Sequence, residues 1–432
     1  MSRRARCASF RATAPPGGRK SSTCGPGAER PAPGAGPVVP QWPWVLLLHA
    51  LFLQLAAYIV RPAAAYRALE LGVEPALLGL IAASFALLPL FIAVLVGRAT
   101  DAGHQRAVLL GGAALMAGAG AGLVFTSSSL ELLLLWNGVL GLGHLLCVVG
   151  QQSRIAEGES GRLDAAFGLY TFAGSAGQAV GPLLITVFGG GRVLPDTRAL
   201  FLAYTASAVV LLVLTFPLVR RPRRTGRAPV RPGASRGSLG SAFTRTTRQS
   251  RGKLVGAMVV SAMVLGAIDL IAVYLPALGV ERGIPAAVVG ILLSVRAGAT
   301  MASRLYLGPL VARFGRAELI ALSTAVSALA VGALAAPLNL VLLAAVLVLA
   351  GVALGIGQPL TMTVISLEAP TGTQGTWLAL RLSANRLGQS AIPAGVGLVA
   401  AAAGVAGVFG VTAAGLALVA AGSWYSLWKE RG

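Results

Sequence analysis

The chain has 432 residues, of which 56% are hydrophobic and only 11% charged, whereas soluble domains carry charge on about a quarter of theirs; this excludes a pair of soluble domains and points to a surface that faces lipid. The net charge of +21 would suit a nucleic-acid-binding face if it were spread over one. Instead seven Lys/Arg fall in residues 1–40 and eleven, with no acid, in 220–253, so nucleic acid is excluded as a partner.

Residues 1–40 are basic and Pro/Gly-rich, with no apolar core and small-residue cleavage site at signal-peptide spacing; they read as a disordered cytoplasmic tail. Apolar runs long enough to cross a bilayer follow near 44–60, 75–97, 107–126, 130–149, 165–188 and 199–219. The first is short and ends before Arg61-Pro62. A basic linker, 220–253, separates this half (41–219) from a second (254–432). The linker is expected along an anionic leaflet, with membrane lipid as a partner, or as a plain tether. The second half has runs near 254–275, 285–307, 317–336, 338–360, 377–402 and 405–427, with a break at Pro337-Leu338-Asn339. The fold class is therefore an all-α polytopic membrane protein of about twelve transmembrane helices in two six-helix bundles.

With the N-terminus inside, the cytoplasmic segments hold 26 Lys/Arg and the opposite side five, among them Arg61, Arg67 and Arg282. That asymmetry places both termini and the linker in the cytoplasm of a multi-pass cell-membrane protein. The halves align at an offset of 211 residues. Glu70, Gly72 and Gly79 fall on Glu281, Gly283 and Gly290; Gly97 falls on Gly308; Gly177-Gln178 falls on Gly388-Gln389, and Pro182 on Pro393. Two parallel repeats joined by a linker are the plan of a secondary transporter with its site between the halves.

The loop after the second span begins Gly97-Arg98-Ala99-Thr100-Asp101 and reaches Arg106; the loop after the eighth runs from Gly308 through Arg313 to Gly315-Arg316. Together they resemble the Gly-x-x-x-Asp-Arg-x-Gly-Arg-Arg signature of the major facilitator superfamily, over about residues 41–428. The first copy keeps Gly97, Asp101 and Arg106; the second keeps Gly308, Arg313, Gly315 and Arg316 but has Ala312 where the Asp belongs. The resemblance implies a twelve-helix transporter whose cytoplasmic side is locked in one state by these loops, the glycine allowing a tight turn; a plain positively charged turn is the other reading. Gly177-x-x-x-Gly181-Pro182 resembles the bend motif associated with exporters in this family, and packing alone explains it equally well. It favours efflux over uptake. Asn137 stands where proton-exchanging exporters usually carry an Arg, which weakens proton antiport.

Charges inside membrane spans are expensive and mark function. Asp269 lies in the seventh span, Arg296 in the eighth, and Arg381 and Arg386 in the eleventh. Arg381-Asn385 and Arg386-Gln389 sit at i,i+4 and i,i+3, so each pair shares a face. Arg381 is near enough to the helix end to snorkel, and Arg304 reads as an end anchor. The bland expectation is an Asp269–Arg296 or Asp269–Arg386 ion pair holding the bundle. The functional one is a basic cavity for an anionic or polar solute, or a proton relay through Asp269, with the second half supplying its charges. The first half offers His49, Gln54, Tyr58, Asn137, His144 and Gln178 as hydrogen-bonding groups for a solute or for neighbouring helices; His144 is also a candidate for titration near neutral pH.

No His/Cys/Asp group has metal spacing and no phosphate-binding Gly-rich loop is present, so no metal or other cofactor is expected. Cys7, Cys24 and Cys147 form no disulfide framework. The acids Glu157, Glu159 and Asp164 form a solvated cluster that makes an enzyme improbable. The sequence thus indicates a non-enzymatic secondary transporter working as a monomer on a small-molecule substrate, with protons as a coupling ion; a transporter-like sensor is the alternative.

Overall fold

A computed structural model describes residues 44–156, 163–220, 246–370 and 374–431. The basic tail, Cys7, Cys24, Glu157, Glu159 and most of the linker lie outside the described residues, as do the side chains of Asp101 and Asp164. All regular structure among the described residues is helical. The helices are α1 (Trp44–Glu70), α2 (Leu78–Asp101), α3 (Gln105–Thr126), α4 (Leu130–Ala156), α5 (Leu163–Val180), α6 (Leu183–Gly189) and α7 (Thr197–Arg220), then α8 (Arg248–Glu281), α9 (Ala286–Leu305), α10 (Leu307–Phe314), α11 (Arg316–Ala333), α12 (Leu340–Glu368) and α13 (Gln374–Arg431). Eleven stretches among them are long and apolar enough to cross a membrane. The last stretch, Leu380–Lys429, spans 50 residues, roughly 75 Å of helix and enough for two crossings. Gly404, at φ 66, bends it where the eleventh and twelfth spans were expected to part.

Helix boundaries follow local chemistry. Thr247 caps α8 by accepting from the Ser250 amide, and Asn339 caps α12 by accepting from that of Leu342 at 2.9 Å. The repeat is visible in the turns. After α1, Gly72 (φ 74) lets Val73 N–H reach Ala68 O; after α8, Gly283 (φ 64) lets Ile284 N–H reach Gly279 O.

One boundary differs from expectation. α1 does not stop before Arg61-Pro62 but runs through Pro62 to Glu70. Proline removes one backbone donor, yet neighbouring helices make this tolerable inside a membrane bundle. Arg61 is therefore not an outer-loop charge; it is buried inside the bundle at 8% exposure.

Short connections near residues 72, 127, 190, 283 and 337 gather on one side, called here the hairpin face. Helices begin at Trp44 and Arg248 and end at Ala156 and Arg220 on the other, the terminal face. The two halves meet where α2 crosses α13, where α5 and α6 cross α9, and where α1 lies against α8. The crossings are repeat-related. A Cβ at Gly79 would collide with the carbonyl of Pro393, and one at Gly290 would lie 2.7 Å from that of Pro182. Within each half, Gly177 packs on the backbone at Leu51 and Gly388 on that at Ala262, positions again 211 apart.

The largest core cluster mixes both halves, for example Ala64, Ile81 and Ile185 with Leu275, Leu293 and Val405. Smaller clusters lie toward the terminal face. Leu46, Ala50, Ile155, Tyr170 and Leu218 form a separate cluster within the first half, and Val96, Val108 and Leu145 another. Leu254, Ala257, Ile365, Ala369 and Trp377 form one within the second. The halves thus share the largest core cluster, while three smaller clusters toward the terminal face each lie within one half.

Candidate functional site

At mid-depth, α1, α8 and α13 bring charged side chains together, and α2 and α4 add aromatic and polar ones. Arg61 on α1 forms a buried ion pair with Asp269 on α8. The other carboxylate oxygen of Asp269 accepts from Gln389 Nε2 at 2.6 Å. Gln389 in turn accepts from the Arg386 guanidinium at 3.2 Å. The chain Arg61–Asp269–Gln389–Arg386 therefore joins the two halves. Phe85 on α2 lies under it, 4.4 Å from Arg61 and 5.9 Å from Arg386 measured from guanidinium carbon to ring centre, a cation–π geometry. Tyr58, one turn before Arg61, presents its ring at 5.1 Å.

This arrangement corrects the expected pairing. Asp269 bonds neither Arg296 nor Arg386 directly; its partner is Arg61, from the other half. Placing Arg61 in a loop hid this, and only the continuation of α1 through Pro62 reveals it. Nor do all the charges of the centre come from the second half. Breaking such a pair from one side leaves a buried charge uncompensated, at about 3–5 kcal/mol.

Arg61, Ile81, Ala82, Phe85, Asn137, Asp269 and Val273 line a small pocket with room for about one water molecule. Asn137 donates to the Ile81 carbonyl and, at 3.0 Å, to Ser84 Oγ, fastening α4 to α2. Its side-chain oxygen is buried without a partner among the described residues. His144 packs its ring 5.4 Å from that of Phe85, and neither ring nitrogen has a hydrogen bond among the described residues.

On the α1–α5–α9 side, Gln178 donates to Gln54 at 3.3 Å. Arg304 is not a free end anchor: its guanidinium reaches Ser175 Oγ at 2.7 Å, across to the first half. Arg296 is 3% exposed, and its guanidinium has no hydrogen-bond acceptor among the described residues. Its charged neighbours are Asp269 and Arg61.

Two expected members of the site belong elsewhere. Arg381 does not snorkel; it is buried and donates to Gln358 Oε1 at 2.7 Å and to the Gln358 carbonyl at 2.9 Å. Asn385 accepts from Ser261 Oγ at 2.7 Å, and Gln358 Nε2 donates to the Ser261 carbonyl. These groups knot α13 to α8 and α12 within the second half. The first half has its own knot: His49 lies between Thr215 Oγ1, at 2.9 Å, and Gln151, which accepts from Tyr170. His49 is a satisfied core residue.

The loop motifs take a different form from that expected. Gly97 lies within α2, and neither Gly97 nor Gly308 has anything within 4 Å of a built Cβ. The tight turns use Gly103 (φ 91) and Gly315 (φ 83) instead. Arg106, Arg313 and Arg316 are exposed. Gly181 packs against Tyr58 and Leu55, and Pro182 follows it at the break between α5 and α6.

Among known proteins, the Major Facilitator Superfamily model matches residues 46–393, with a second match over 257–431. No curated protein matches the chain. Solved structures resemble it in fold. The nucleoside transporter NupG is 14% identical at TM-score 0.72, covering 88% of this chain and 98% of its own. A POT family transporter in complex with a thioalcohol-conjugated peptide is 13% identical at 0.71, covering 87% and 94%. The inward-open xylose transporter XylE from E. coli is 15% identical at 0.67, covering 88% and 94%.

Proposed function

The chain belongs to the major facilitator superfamily, and from that premise we propose that it carries a small solute by alternating access, its two halves rocking about the Arg61–Asp269 centre. The observation that carries this reading is the division of the core. A bundle built only to be rigid would share its core from face to face. Here three clusters toward the terminal face each stay within one half, whereas the hairpin side holds only the cluster shared by both, and the charged centre lies between them. This arrangement suits a carrier closed at the hairpin face.

By the arginine asymmetry, the terminal face is cytoplasmic and the membrane is the cell membrane. The Gly177-x-x-x-Gly181-Pro182 sequence favours export. The chain works as a monomer in contact with membrane lipid, because each half supplies part of the centre within one polypeptide.

Thr186 Oγ1 donates to the Ala287 carbonyl at 3.0 Å across the hairpin-face closure. Cysteines at Thr186 and Ala287, oxidised to a disulfide, are expected to abolish solute movement in proteoliposomes, with full return on reduction. Unchanged transport by the cross-linked protein would sink the rocking mechanism.

Asp269 is the group we propose for proton coupling. Protonation would remove the charge that holds Arg61 and free the halves to move. Asp269→Asn keeps the side chain's size and an amide oxygen that can accept from Arg61, and it removes the ionisable carboxyl. It is expected to retain exchange of solute down its own gradient and to lose the response to a pH gradient. A wild-type response to pH in this variant would exclude Asp269 as the coupling residue.

A further inference from the structure

Charge does not balance at the centre of the molecule. Arg61, Arg296 and Arg386 converge on a single carboxylate, Asp269. Asp269 is fully engaged by Arg61 and Gln389, and Arg386 has the neutral amide oxygen of Gln389. Arg296 has nothing. A guanidinium carries five donors and stays charged; at 3% exposure it has given up most of its water, and its Nε is buried with no acceptor among the described residues. Such a group is tolerated where an anion visits. Arg296 sits on α9, and its neighbours across the interface, Tyr58 and the cation Arg61, are on α1. It therefore faces the other half, with Arg304, itself bonded to Ser175 of the first half, as a further cation nearby.

We propose that the solute is an anion, and that its carboxylate, phosphate or sulfonate group docks on Arg296, with Arg61 and Arg386 as the surrounding positive field. The geometry suits an oxyanion because the planar guanidinium offers paired parallel donors. The word solute rests on the transport reading above; the anion-binding step stands apart from it. The same chemistry occurs in free acids and in anionic lipid headgroups, and the test separates them.

The experiment measures the thermal midpoint of the purified full-length protein in neutral detergent at constant ionic strength. The probes are sulfate, inorganic phosphate, benzoate against benzamide, and phosphatidylglycerol against phosphatidylcholine. The acid member of a pair is expected to raise the midpoint and the neutral member to leave it. In Arg296→Gln the apparent affinity for that acid should fall at least tenfold. Stabilisation by phosphatidylglycerol alone assigns the anion to a lipid headgroup; stabilisation by sulfate, phosphate or benzoate assigns it to a water-soluble acid. With no probe added, Arg296→Gln should melt no lower than wild type, because it removes a cation that has no partner. A lower midpoint for unliganded Arg296→Gln would make Arg296 a structural residue and overturn the proposal. So would equal responses to acid and neutral probes, or an unchanged response in the variant. Binding is read without transport, so such a failure leaves the alternating-access reading intact. A disulfide-locked protein that binds the anion and still transports would sink that reading and spare this one.

Discussion

Asp269→Ala is expected to be the most damaging single substitution in the molecule. It leaves Arg61 buried without its carboxylate, at about 3–5 kcal/mol, and strands the Gln389 amide, at about a further 1–3 kcal/mol. Desolvation sets the sign. Attraction between two buried charges little more than offsets the cost of removing them from water, so the intact pair contributes modestly while a widowed charge is expensive. The double variant Arg61→Met/Asp269→Leu is therefore expected to recover most of the loss, since it removes both charges and keeps the volume. Detergent-solubilised protein followed by size exclusion through a heating series checks this. Asp269→Ala should lose its monodisperse peak well below wild type, and the double variant should return toward wild type without regaining solute movement. A singly substituted protein that melts with wild type would show that the pair contributes nothing.

The second large effect is expected from one methyl group. Gly79→Ala places a Cβ against the Pro393 carbonyl, and Gly290→Ala places one 2.7 Å from that of Pro182, where carbon and oxygen normally stay about 3.3–3.6 Å apart. These obstacles are backbone atoms, so the helices themselves must separate. Both crossings lie toward the hairpin face, and either substitution should open it. With Cys7 and Cys24 replaced by serine, a cysteine at Ala82, 5% exposed and lining the central pocket, reports the opening. It should resist a membrane-impermeant thiol reagent applied from the hairpin side in the parent and react in Gly79→Ala. Gly97→Ala, on the same helix with open space around it, is the control and should behave as the parent. Equal labelling in all three would show that the crossing does not seal that face.

Much of the centre was legible as a set of residue types but not as a set of partners. Asp269, Arg386, Gln389 and Asn137 stand out because polar groups in an apolar span are costly wherever the helix points. Their partners depend on which helix crosses which, at what depth and rotation. Spacing along α13 puts Arg381 with Asn385 and Arg386 with Gln389, yet the first pair binds α8 and α12 while the second meets Asp269. Arg61 was misplaced for a physical reason. Proline ends helices in water, where freed carbonyls are readily solvated, but in a packed membrane bundle α1 continues through Pro62. The run Ala63-Ala64-Ala65 after it was the available signal.

The helices and the repeat follow from sequence alone, because the cost of exposing backbone to lipid makes a long apolar run helical whatever its neighbours do. Matched glycines at an offset of 211 likewise announce matched close approaches before any coordinate is seen. What only the tertiary structure decided is which of Arg61, Arg296 and Arg386 pairs with Asp269. In sequence Arg61 reads as lying outside the membrane, and Arg296 and Arg386 cannot be ranked against each other. The crossing of α1 against α8 gives Asp269 to Arg61 and leaves Arg296 buried without an acceptor, because an ion pair depends on a few ångströms of helix placement that no hydropathy pattern encodes.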